Sequence, residues 1–387
     1  MKCVFLITQL EFAGAQNAMC AIARGLSARG HDITIMGFYE KNCSVHEFSQ
    51  RAKVPVINLG MKNMGAGRLQ NVRHLFCGLG RLCKLLRNET PDVVLTFTRY
   101  ANWIGPFAAR RANVNVCITS QRNSWRDAGF LFYTVDRMIA NSRLVHCMTT
   151  VSEQTREFCV NTEGINPEKL ITIHNGVKLA NFSKNNDEKK RVQILNSIGV
   201  TKDVFRVVTV ARFFEQKGHR FLVDAVARVD SELPVNVRFI MVGEGPLLEE
   251  IKQRCVTKGV EHRFIFTGVR NDVPQILSVA DLFILPSLHE GMPNVVLEAM
   301  ASSVPVIATA VDGALEIIDH EVDGFLFPPK DVEALATQIL RLVKHEDLRK
   351  SIIHNGNKKI ASAFDQECIT ERYERLFEGW INENSRH

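Results

Sequence analysis

Two glutamates flank a loop rich in glycine and proline in the second half of the chain. They are Glu290 and Glu298, which are separated by seven residues in the stretch EGMPNVVLEAM. An apolar strand is predicted just before this loop, and a helix is predicted to open at Pro293, because the fixed φ of proline suits the first helical position. The first amides of such a helix have no intrahelical partner, so they can bind an anion or a sugar oxygen.

The spacing of the two glutamates suggests the shape of a ligand. Glu298 would lie about 7.5 Å along the helix axis from Pro293, at about 1.5 Å per residue. Two carboxylates placed in this way can accept hydrogen bonds from hydroxyls at the two ends of an elongated molecule with phosphates between them, such as a nucleotide sugar. The alternative is a pair of solvated surface glutamates, which the apolar flanks and the Gly/Pro-rich loop disfavour.

Two cations form a second candidate group. Arg212 follows a predicted strand, and Lys217 comes five residues later, before a predicted helix. At the carboxyl edge of a sheet, both could neutralise a diphosphate. Cleavage of a sugar–phosphate bond builds negative charge on the leaving oxygen, and loss of one preorganised donor there typically costs about 10²- to 10³-fold in rate. The alternative is an exposed arginine and lysine that form surface ion pairs.

The elements that must position these residues form a repeating pattern of short apolar strands and longer helices, which indicates parallel sheets covered by helices. The pattern stops at the polar stretch 183–190 and then restarts, so we interpret that stretch as a domain linker. Strands are predicted at 3–8, 32–37, 92–97, 114–119, 147–151, 204–210, 236–242, 263–267, 281–285 and 305–308. Helices are predicted at 15–29, 70–88, 101–112, 218–230, 246–257, 272–279 and 293–302, with a final helical run near the terminus.

The motifs together resemble those of family 4 glycosyltransferases, which are retaining enzymes of the GT-B fold. The resemblance lies in Glu290-x7-Glu298 and in the RxxxxKG element from Arg212 to Gly218, with weaker family-like pieces at 242–246, 266–268 and 305–309. It implies an α/β protein with two Rossmann-like, doubly wound domains that face each other across a cleft. Residues 1–184 would bind the acceptor, residues 185–365 would bind the donor, and a C-terminal helix at about 366–387 would cross back to the first domain.

The resemblance also assigns roles to residues. Arg212 and Lys217 would stabilise the departing nucleoside diphosphate, Glu290 would hold sugar hydroxyls, and Glu298 would hold the ribose. Further donor contacts are implied at Gly14, Val269, Arg270, Gly291, Met292, Pro293 and Asn294.

The sequence departs from the family in its first half. Relatives usually have two adjacent glycines after the first strand, whereas this chain has Ala13-Gly14. Many have a histidine in the segment where this chain reads Gln121-Arg122-Asn123. We predict that Arg122 and Asn123 contact the acceptor, with Arg122 suited to an acceptor phosphate.

Several classes of chemistry lack support in the sequence. There is no DxD motif and no His/Asp/Glu cluster with metal-ligand spacing, so we expect no metal and no cofactor besides the nucleotide-sugar co-substrate. The absence of GxGxxG at the first turn argues against a dinucleotide-dependent oxidoreductase. The ten cysteines show no CxxC pair, which favours reduced core thiols of a cytosolic protein over metal ligands.

Charge is distributed unevenly. Residues 1–184 contain 23 Lys and Arg against 12 Asp and Glu, whereas residues 185–387 contain 25 against 30. The first half therefore suits an anionic partner. Its helix 70–88 is basic and amphipathic, and two interpretations remain open: a surface helix with its apolar face in the core, or a helix that lies on an acidic membrane.

The resemblance leads to one main functional prediction. A sugar would move from UDP-hexose or UDP-N-acetylhexosamine to a glycan or lipid-linked acceptor in cell-surface polysaccharide or lipopolysaccharide synthesis, with no role for nucleic acid. Because the first apolar run is too short for a signal peptide, we expect a cytoplasmic protein, peripheral at the inner face of the cell membrane. A GT-B nucleotide-sugar epimerase or hydrolase and a non-catalytic sugar-nucleotide binding protein are the alternatives.

Overall fold

The protein forms two compact units, each with its own parallel sheet. The computed structural model describes residues 1–61, 68–123, 129–182 and 187–384, with the side chains of 68–76 excepted. The first unit comprises Met1–Gly176 and Gln366–His387, and the second comprises Val177–Asp365. The second unit begins at Val177, whose amide donates to the Phe364 carbonyl of the same unit.

The first unit has a seven-stranded parallel sheet in the order β3-β2-β1-β4-β5-β6-β7. Its strands are β1 (Lys2–Leu10), β2 (Asp32–Glu40), β3 (Val56–Asn58), β4 (Val93–Phe97), β5 (Val116–Gln121), β6 (Cys147–Thr150) and β7 (Leu170–Thr172). Its helices are α1 (Gly14–Ala28), α2 (Val45–Ala52), α3 (Arg68–Glu89), α4 (Arg99–Arg111), α5 (Phe130–Ala140), α6 (Glu153–Phe158) and, from the end of the chain, α15 (Gln366–Asn384).

Alternate residues of β1 show that both faces of this sheet are covered. Phe5 belongs to a core cluster with residues of α1, α2 and α15, whereas Leu6 belongs to a second cluster with residues of α3 and α4. Successive strand side chains point to opposite faces, so helices pack on both sides, as in a doubly wound fold. In α15, Tyr373 and Phe377 are fully buried, which explains why this terminal helix docks.

The second unit has a six-stranded parallel sheet in the order β10-β9-β8-β11-β12-β13. Its strands are β8 (Phe205–Val210), β9 (Val237–Val242), β10 (Phe264–Gly268), β11 (Leu282–Leu285), β12 (Val306–Thr309) and β13 (Phe325–Phe327). Its helices are α7 (Glu188–Ser197), α8 (His219–Val229), α9 (Leu248–Thr257), α10 (Val273–Ser278), α11 (Asn294–Ala301), α12 (Ala314–Ile317), α13 (Val332–Lys344) and α14 (Glu346–Ala363).

The predicted fold class is confirmed. The short strands β3, β7 and β13 and several helices, among them α7, were not predicted. The predicted linker is partly wrong, because Glu188 to Lys190 begin α7, where Asp187 caps the helix through its side chain; residues 183–186 lie outside the described residues. All ten cysteines are free, but Cys77 and Cys368 are exposed rather than buried core thiols. In the part of the chain that the structure describes, no helix is both long and apolar enough to cross a membrane.

Two carboxyl groups share one arginine inside the first unit. The guanidinium of Arg99 lies 3.1 Å from the Asp136 carboxylate and 3.8 Å from that of Glu163. The side chain of Gln121 donates to Glu163. Burial, reinforced by the neighbouring Asp136, raises the pKa of Glu163 to about 7. Glu163 is therefore held as the neutral acid over much of the acidic range.

A second local constraint lies in the second unit, where two loops touch through their backbones. Gly218 has a φ of +64°, and a Cβ added there would lie 2.0 Å from the Pro286 carbonyl oxygen. Only glycine fits this position without displacement of the backbone. The contact holds the loop after β8 against the loop after β11.

We expect Glu163→Gln to flatten the pH dependence of stability between about pH 4.5 and 7. The unfolded carboxyl ionises near 4.5 and the folded one near 7, so the folded state loses stability as pH rises through this window and the loss is complete above it. The loss is of the order of 3–4 kcal/mol, at about 1.4 kcal/mol per pKa unit. Thermal unfolding followed by circular dichroism from pH 4 to 8 measures it, with the exposed Glu168→Gln as control. An unchanged slope in Glu163→Gln would show that this carboxyl does not titrate in the window.

We expect Gly218→Ala to destabilise the protein more than Gly199→Ala does. Both glycines have positive φ, but nothing lies within 4 Å of a Cβ built on Gly199. The control change therefore carries only the left-handed penalty of about 1–2 kcal/mol, whereas Gly218→Ala must also move the Pro286 backbone. Chemical denaturation compares the two free energies of unfolding, and equal values would contradict the close contact.

Candidate functional site

The candidate site lies where the strand order of the second sheet reverses. Strands β8 and β11 are neighbours at the centre of the sheet, although they are not consecutive in the chain. In open parallel sheets, ligands bind outside the carboxyl ends of the strands at such a reversal. The loop 211–218 follows β8 and the loop 286–293 follows β11, so the two predicted motifs are brought to this point.

Two hydrogen bonds join the two loops, one between their main chains and one from a side chain to the main chain. The Leu288 amide donates to the Gln216 carbonyl at 2.7 Å, and the Gln216 side chain donates to the His289 carbonyl at 2.8 Å. Together with the Gly218 contact to Pro286, these bonds fix the relative position of the two loops.

An ion pair between Lys217 and Glu290 lies at the centre of this arrangement. Lys217 Nζ is 2.5 Å from Glu290 Oε1, with the two side chains 19% and 10% exposed. Such a pair is shielded from water, so its attraction exceeds that of a surface pair. The structure thus brings together two residues that are distant in the sequence and that were both predicted to act on the donor.

Two further groups hold the Glu290 carboxylate and backbone. Ser287 Oγ donates to Glu290 Oε1 at 2.7 Å. The Glu290 amide donates to Asp312 Oδ2 at 2.9 Å, and the Gly313 amide donates to the Gly291 carbonyl at 3.2 Å. The segment after β12 therefore supports the loop after β11.

Arg212 presents its charge differently from Lys217. It is exposed, and its guanidinium lies 5.1 Å from the ring centroid of Phe214. The loop that carries it is packed against the turn after β9, since the Phe213 amide donates to the Glu244 carbonyl and a Cβ on Gly243 would lie 2.1 Å from the Ala211 carbonyl oxygen. The cation is accessible on a well-held backbone.

The rest of the predicted motif runs from the buried loop into α11. Gly291, Met292 and Pro293 are buried, whereas Asn294 and Glu298 are partly exposed. Pro293 is the N-cap residue and the helix begins one residue later, at Asn294. Glu298 is thus the fifth helical residue, one turn from the helix start.

The two residues predicted to lie near the base occupy the loop after β10. Val269 is 61% exposed. Arg270 is already engaged, because its guanidinium donates to Asp272 at 2.8 and 2.7 Å and to Ser197 Oγ at 2.9 Å. Val269 offers an open apolar surface, and Arg270 would have to exchange these bonds to contact a base.

Two histidines near the site, His219 and His289, are held by contacts within the protein. His219 stacks on Phe213 with ring centroids 4.2 Å apart, and burial, aided by the charge of Lys217, lowers the pKa of His219 to about 4. His219 is therefore neutral above about pH 5. His289, which precedes Glu290, is held through its backbone carbonyl by Gln216.

In the first unit, the predicted residues lie beyond the ends of β1 and β5. Gly14 opens α1, and a Cβ built on it would meet nothing within 4 Å.

Arg122 is a half-buried cation with neutral partners among the described residues. It donates to Asn175 Oδ1 and, at 3.5 Å, to the Tyr373 hydroxyl, and it lies 5.5 Å from the ring centroid of Phe97. Burial lowers its pKa. No carboxylate contacts it among the described residues. Asn123 Oδ1 is also buried without a hydrogen-bond partner in the described chain, so both predicted acceptor residues retain capacity for a polar ligand.

Three supporting residues were not predicted: Ser287, Gln216 and Asp312. Ser287 and Gln216 lie inside the recognised motifs, so their position next to Glu290 and Lys217 was a usable signal. No such signal existed in the sequence for Asp312, because its contact with the Glu290 amide depends on where β12 places the segment that follows it. Within the described ranges, no group of three or more His, Cys, Asp or Glu side chains is arranged to hold a metal ion.

Two protein-family models match adjacent parts of the chain. The model for "Glycosyltransferase Family 4" matches residues 12–181, and the model for "Glycosyl transferases group 1" matches residues 204–345. The second match contains Arg212, Lys217, Glu290 and Glu298.

The curated proteins that are similar to this chain are also glycosyltransferases. The chain is 28% identical over 318 residues to UDP-Gal:alpha-D-GlcNAc-diphosphoundecaprenol alpha-1,3-galactosyltransferase of Escherichia coli, with 78% of each chain covered. It is 25% identical over 311 residues to N,N'-diacetylbacillosaminyl-diphospho-undecaprenol alpha-1,3-N-acetylgalactosaminyltransferase of Campylobacter jejuni, with 77% of this chain and 79% of that protein covered.

A solved structure shares the fold. The Anabaena HepE protein in complex with UDP and glucose superposes with a TM-score of 0.85 at 22% identity, covering 98% of this chain and 100% of that one. The fold of two Rossmann-like units agrees with the two family models and with the curated relatives in indicating one family. The chain belongs to the family 4 glycosyltransferases of the GT-B fold.

Proposed function

We propose that this glycosyltransferase moves a hexose or N-acetylhexosamine, with retention of anomeric configuration, from a UDP-sugar to a lipid-linked acceptor in cell-surface polysaccharide or lipopolysaccharide synthesis. The observation that carries the proposal is the shielded Lys217–Glu290 pair at the strand-order reversal of the second unit. A lysine beside a carboxylate offers a cation to a phosphate and an acceptor to sugar hydroxyls within one small region.

The donor is a nucleoside diphosphate sugar in this proposal. Arg212 and Lys217 neutralise the diphosphate, Glu290 accepts hydrogen bonds from the sugar, and Glu298 accepts them from the ribose. Gly291 to Asn294 lie beside the sugar and phosphate, Val269 and Arg270 lie near the base, and Gly14 approaches the diphosphate. The name of the Escherichia coli relative specifies UDP-galactose as its donor, which supports the choice of uridine.

The reaction needs no metal ion in this proposal, since the two cations stabilise the charge that develops on the leaving phosphate. A hydroxyl oxygen of the acceptor attacks the anomeric carbon of the donor sugar from the face that the diphosphate leaves. The bond between that carbon and the diphosphate oxygen breaks, and a phosphate oxygen of the departing nucleoside diphosphate takes the hydroxyl proton. Glu290 is engaged by Lys217 and Ser287, so it suits binding of hydroxyls better than nucleophilic attack. Product anomers identified by proton NMR decide between retention and inversion.

The acceptor half of the proposal rests on the first unit. Arg122 supplies a half-buried cation with neutral partners, which suits an acceptor phosphate. Asn123 supplies a carbonyl oxygen that has no hydrogen-bond partner among the described residues. Both similar transferases from Escherichia coli and Campylobacter jejuni carry a diphospho-undecaprenol acceptor in their names. An acceptor with a diphosphate and a lipid is consistent with these features.

We propose further that the protein is cytoplasmic and binds peripherally to an acidic membrane surface. In the second half of α3, Leu82 and Leu86 are fully buried, so its apolar face packs in the core. The exposed side carries Arg81, Lys84 and Arg87, which suits attraction to anionic lipid headgroups rather than insertion.

We expect Lys217→Ala to lower kcat about 10²- to 10³-fold with a much smaller change in donor KM, because the lysine acts on charge that develops in the transition state. Release of UDP from a UDP-sugar in the presence of acceptor measures the rate. The same assay with product analysis separates transfer from epimerisation or hydrolysis.

Two matched variants control this experiment. Lys217→Arg keeps the cation, and Arg220→Ala removes a nearby cation that pairs at the surface with Glu215. Melting temperatures identify variants that fail to fold. Unchanged turnover in folded Lys217→Ala would contradict the leaving-group role.

We expect UDP to raise the melting temperature more than GDP or ADP does, and Glu298→Gln to reduce the UDP effect. A ligand at one hundred times its Kd stabilises the folded state by about 2.7 kcal/mol. Thermal shift titrations measure this, with the exposed Glu261→Gln as control. Equal shifts from all three nucleotides would refute the uridine assignment, and an unaltered UDP titration in Glu298→Gln would refute the ribose contact.

A further inference from the structure

An apolar groove lies between three helices of the first unit. It has a volume of about 410 Å³, within the size range of small-molecule sites. All its described lining side chains are apolar or aromatic. They include Leu79 of α3, Trp103, Ile104 and Phe107 of α4, and Val135 and Met138 of α5.

The groove continues into exposed apolar side chains. Phe107 is 49% exposed and Met138 is 67% exposed. At the start of α5, Phe130 and Leu131 are each 77% exposed. Clustered exposure of this kind marks a binding surface rather than the scattered apolar residues of an ordinary surface.

The floor of the groove is rigid. The Trp103 indole nitrogen donates to Asp136 Oδ1 at 2.5 Å, and its ring contacts Tyr100 and Phe132 at centroid distances of 5.5 and 5.6 Å. The polar edge of Trp103 is therefore occupied inside the protein, and its apolar surface faces the groove.

The helices around the groove are strongly basic. Residues 68–143 contain twelve Lys and Arg against four Asp and Glu. On α4, which lines the groove, Arg110 and Arg111 are exposed and form no ion pair with any residue that the structure describes. An apolar groove with unpaired cations around it matches a molecule that combines a hydrocarbon chain with an anionic head.

We propose that this groove seats the isoprenoid chain of the lipid-linked acceptor, with the surrounding arginines facing its diphosphate side. The inference rests on the proposed function, because it specifies the lipid part of the acceptor proposed there. A recessed groove favours a single chain over a flat bilayer contact, since Leu79, Ile104 and Val135 lie partly buried below the exposed Phe107 and Met138.

The charge around the groove also favours this ligand over a protein partner. Interfaces between proteins are depleted of charged residues at their core. Here every exposed charged side chain that the structure describes between residues 77 and 143 is cationic. A diphosphate lipid supplies both the hydrocarbon and the opposite charge.

The probe for the test is geranylgeranyl diphosphate, titrated calorimetrically into the full chain with saturating UDP to occupy the donor site. We expect it to bind, and inorganic diphosphate to bind at least tenfold more weakly. The double variant Phe107→Ser/Met138→Ser should weaken binding of the probe about tenfold or more, because it removes apolar surface that the hydrocarbon chain would cover. Ile139→Trp, which fills the groove from α5, should do the same.

The control variant is Val256→Ser, an exposed apolar residue of the second unit that is 54% exposed. Vesicles of phosphatidylglycerol and phosphatidylcholine without isoprenoid form a second arm. We expect the double variant to sediment with these vesicles as the unchanged protein does.

Two results would overturn the proposal: no preference for geranylgeranyl diphosphate over inorganic diphosphate, or probe affinity that the groove variants leave unchanged. Loss of vesicle binding in the double variant with intact probe binding would assign the surface to the bilayer instead. The UDP-dependent shift in melting temperature reports the donor site separately. A normal UDP shift without probe binding would refute the groove alone, whereas probe binding without UDP binding or transfer would refute the proposed function alone.

Discussion

The attraction between Lys217 and Glu290 is the interaction on which the candidate site depends. Either charge alone would be costly in so sheltered a position, because a charge removed from water must be paired and hydrogen-bonded. The pair therefore determines how the loops after β8 and β11 must meet. Ser287, Gln216 and Asp312 then complete the hydrogen bonds that this meeting requires. Removal of one partner leaves the other charge unpaired, so positioning and stability are linked at this point.

The sequence was sufficient to predict the long strands because their apolar pattern is strong. Strands β1 and β2 have six consecutive buried residues each, which is typical of central strands in a parallel sheet. Strands β3, β7 and β13 have three residues each, too few to show a period. Several helices of both units were also missed, such as α7, whose sequence is too polar to show a marked apolar face.

For the candidate site, the sequence was sufficient to select candidate residues but not to predict the contacts between them. Glycine and proline around Glu290 and the spacing of Arg212 and Lys217 carried enough information to select the residues. The direct contact between Lys217 and Glu290 was not predicted, because it depends on how the strand order brings β8 next to β11. Asp312 was missed for a related reason: it lies in the left-handed region with a φ of +40°, and its bond to Glu290 exists only once β12 is in place. The roles in donor and acceptor binding remain predictions.

The tight backbone contacts around the site have an evolutionary consequence. Glycines 218, 243 and 313 each lie so close to a neighbouring carbonyl oxygen that even a methyl group would collide with it, whereas Gly14 has open space around it. Most single-residue replacements at the three crowded positions would therefore be purged, and the loops of the second unit would diversify slowly. The turn at Gly14 in the first unit has room for a side chain, so it can accept replacements that these three positions of the second unit cannot.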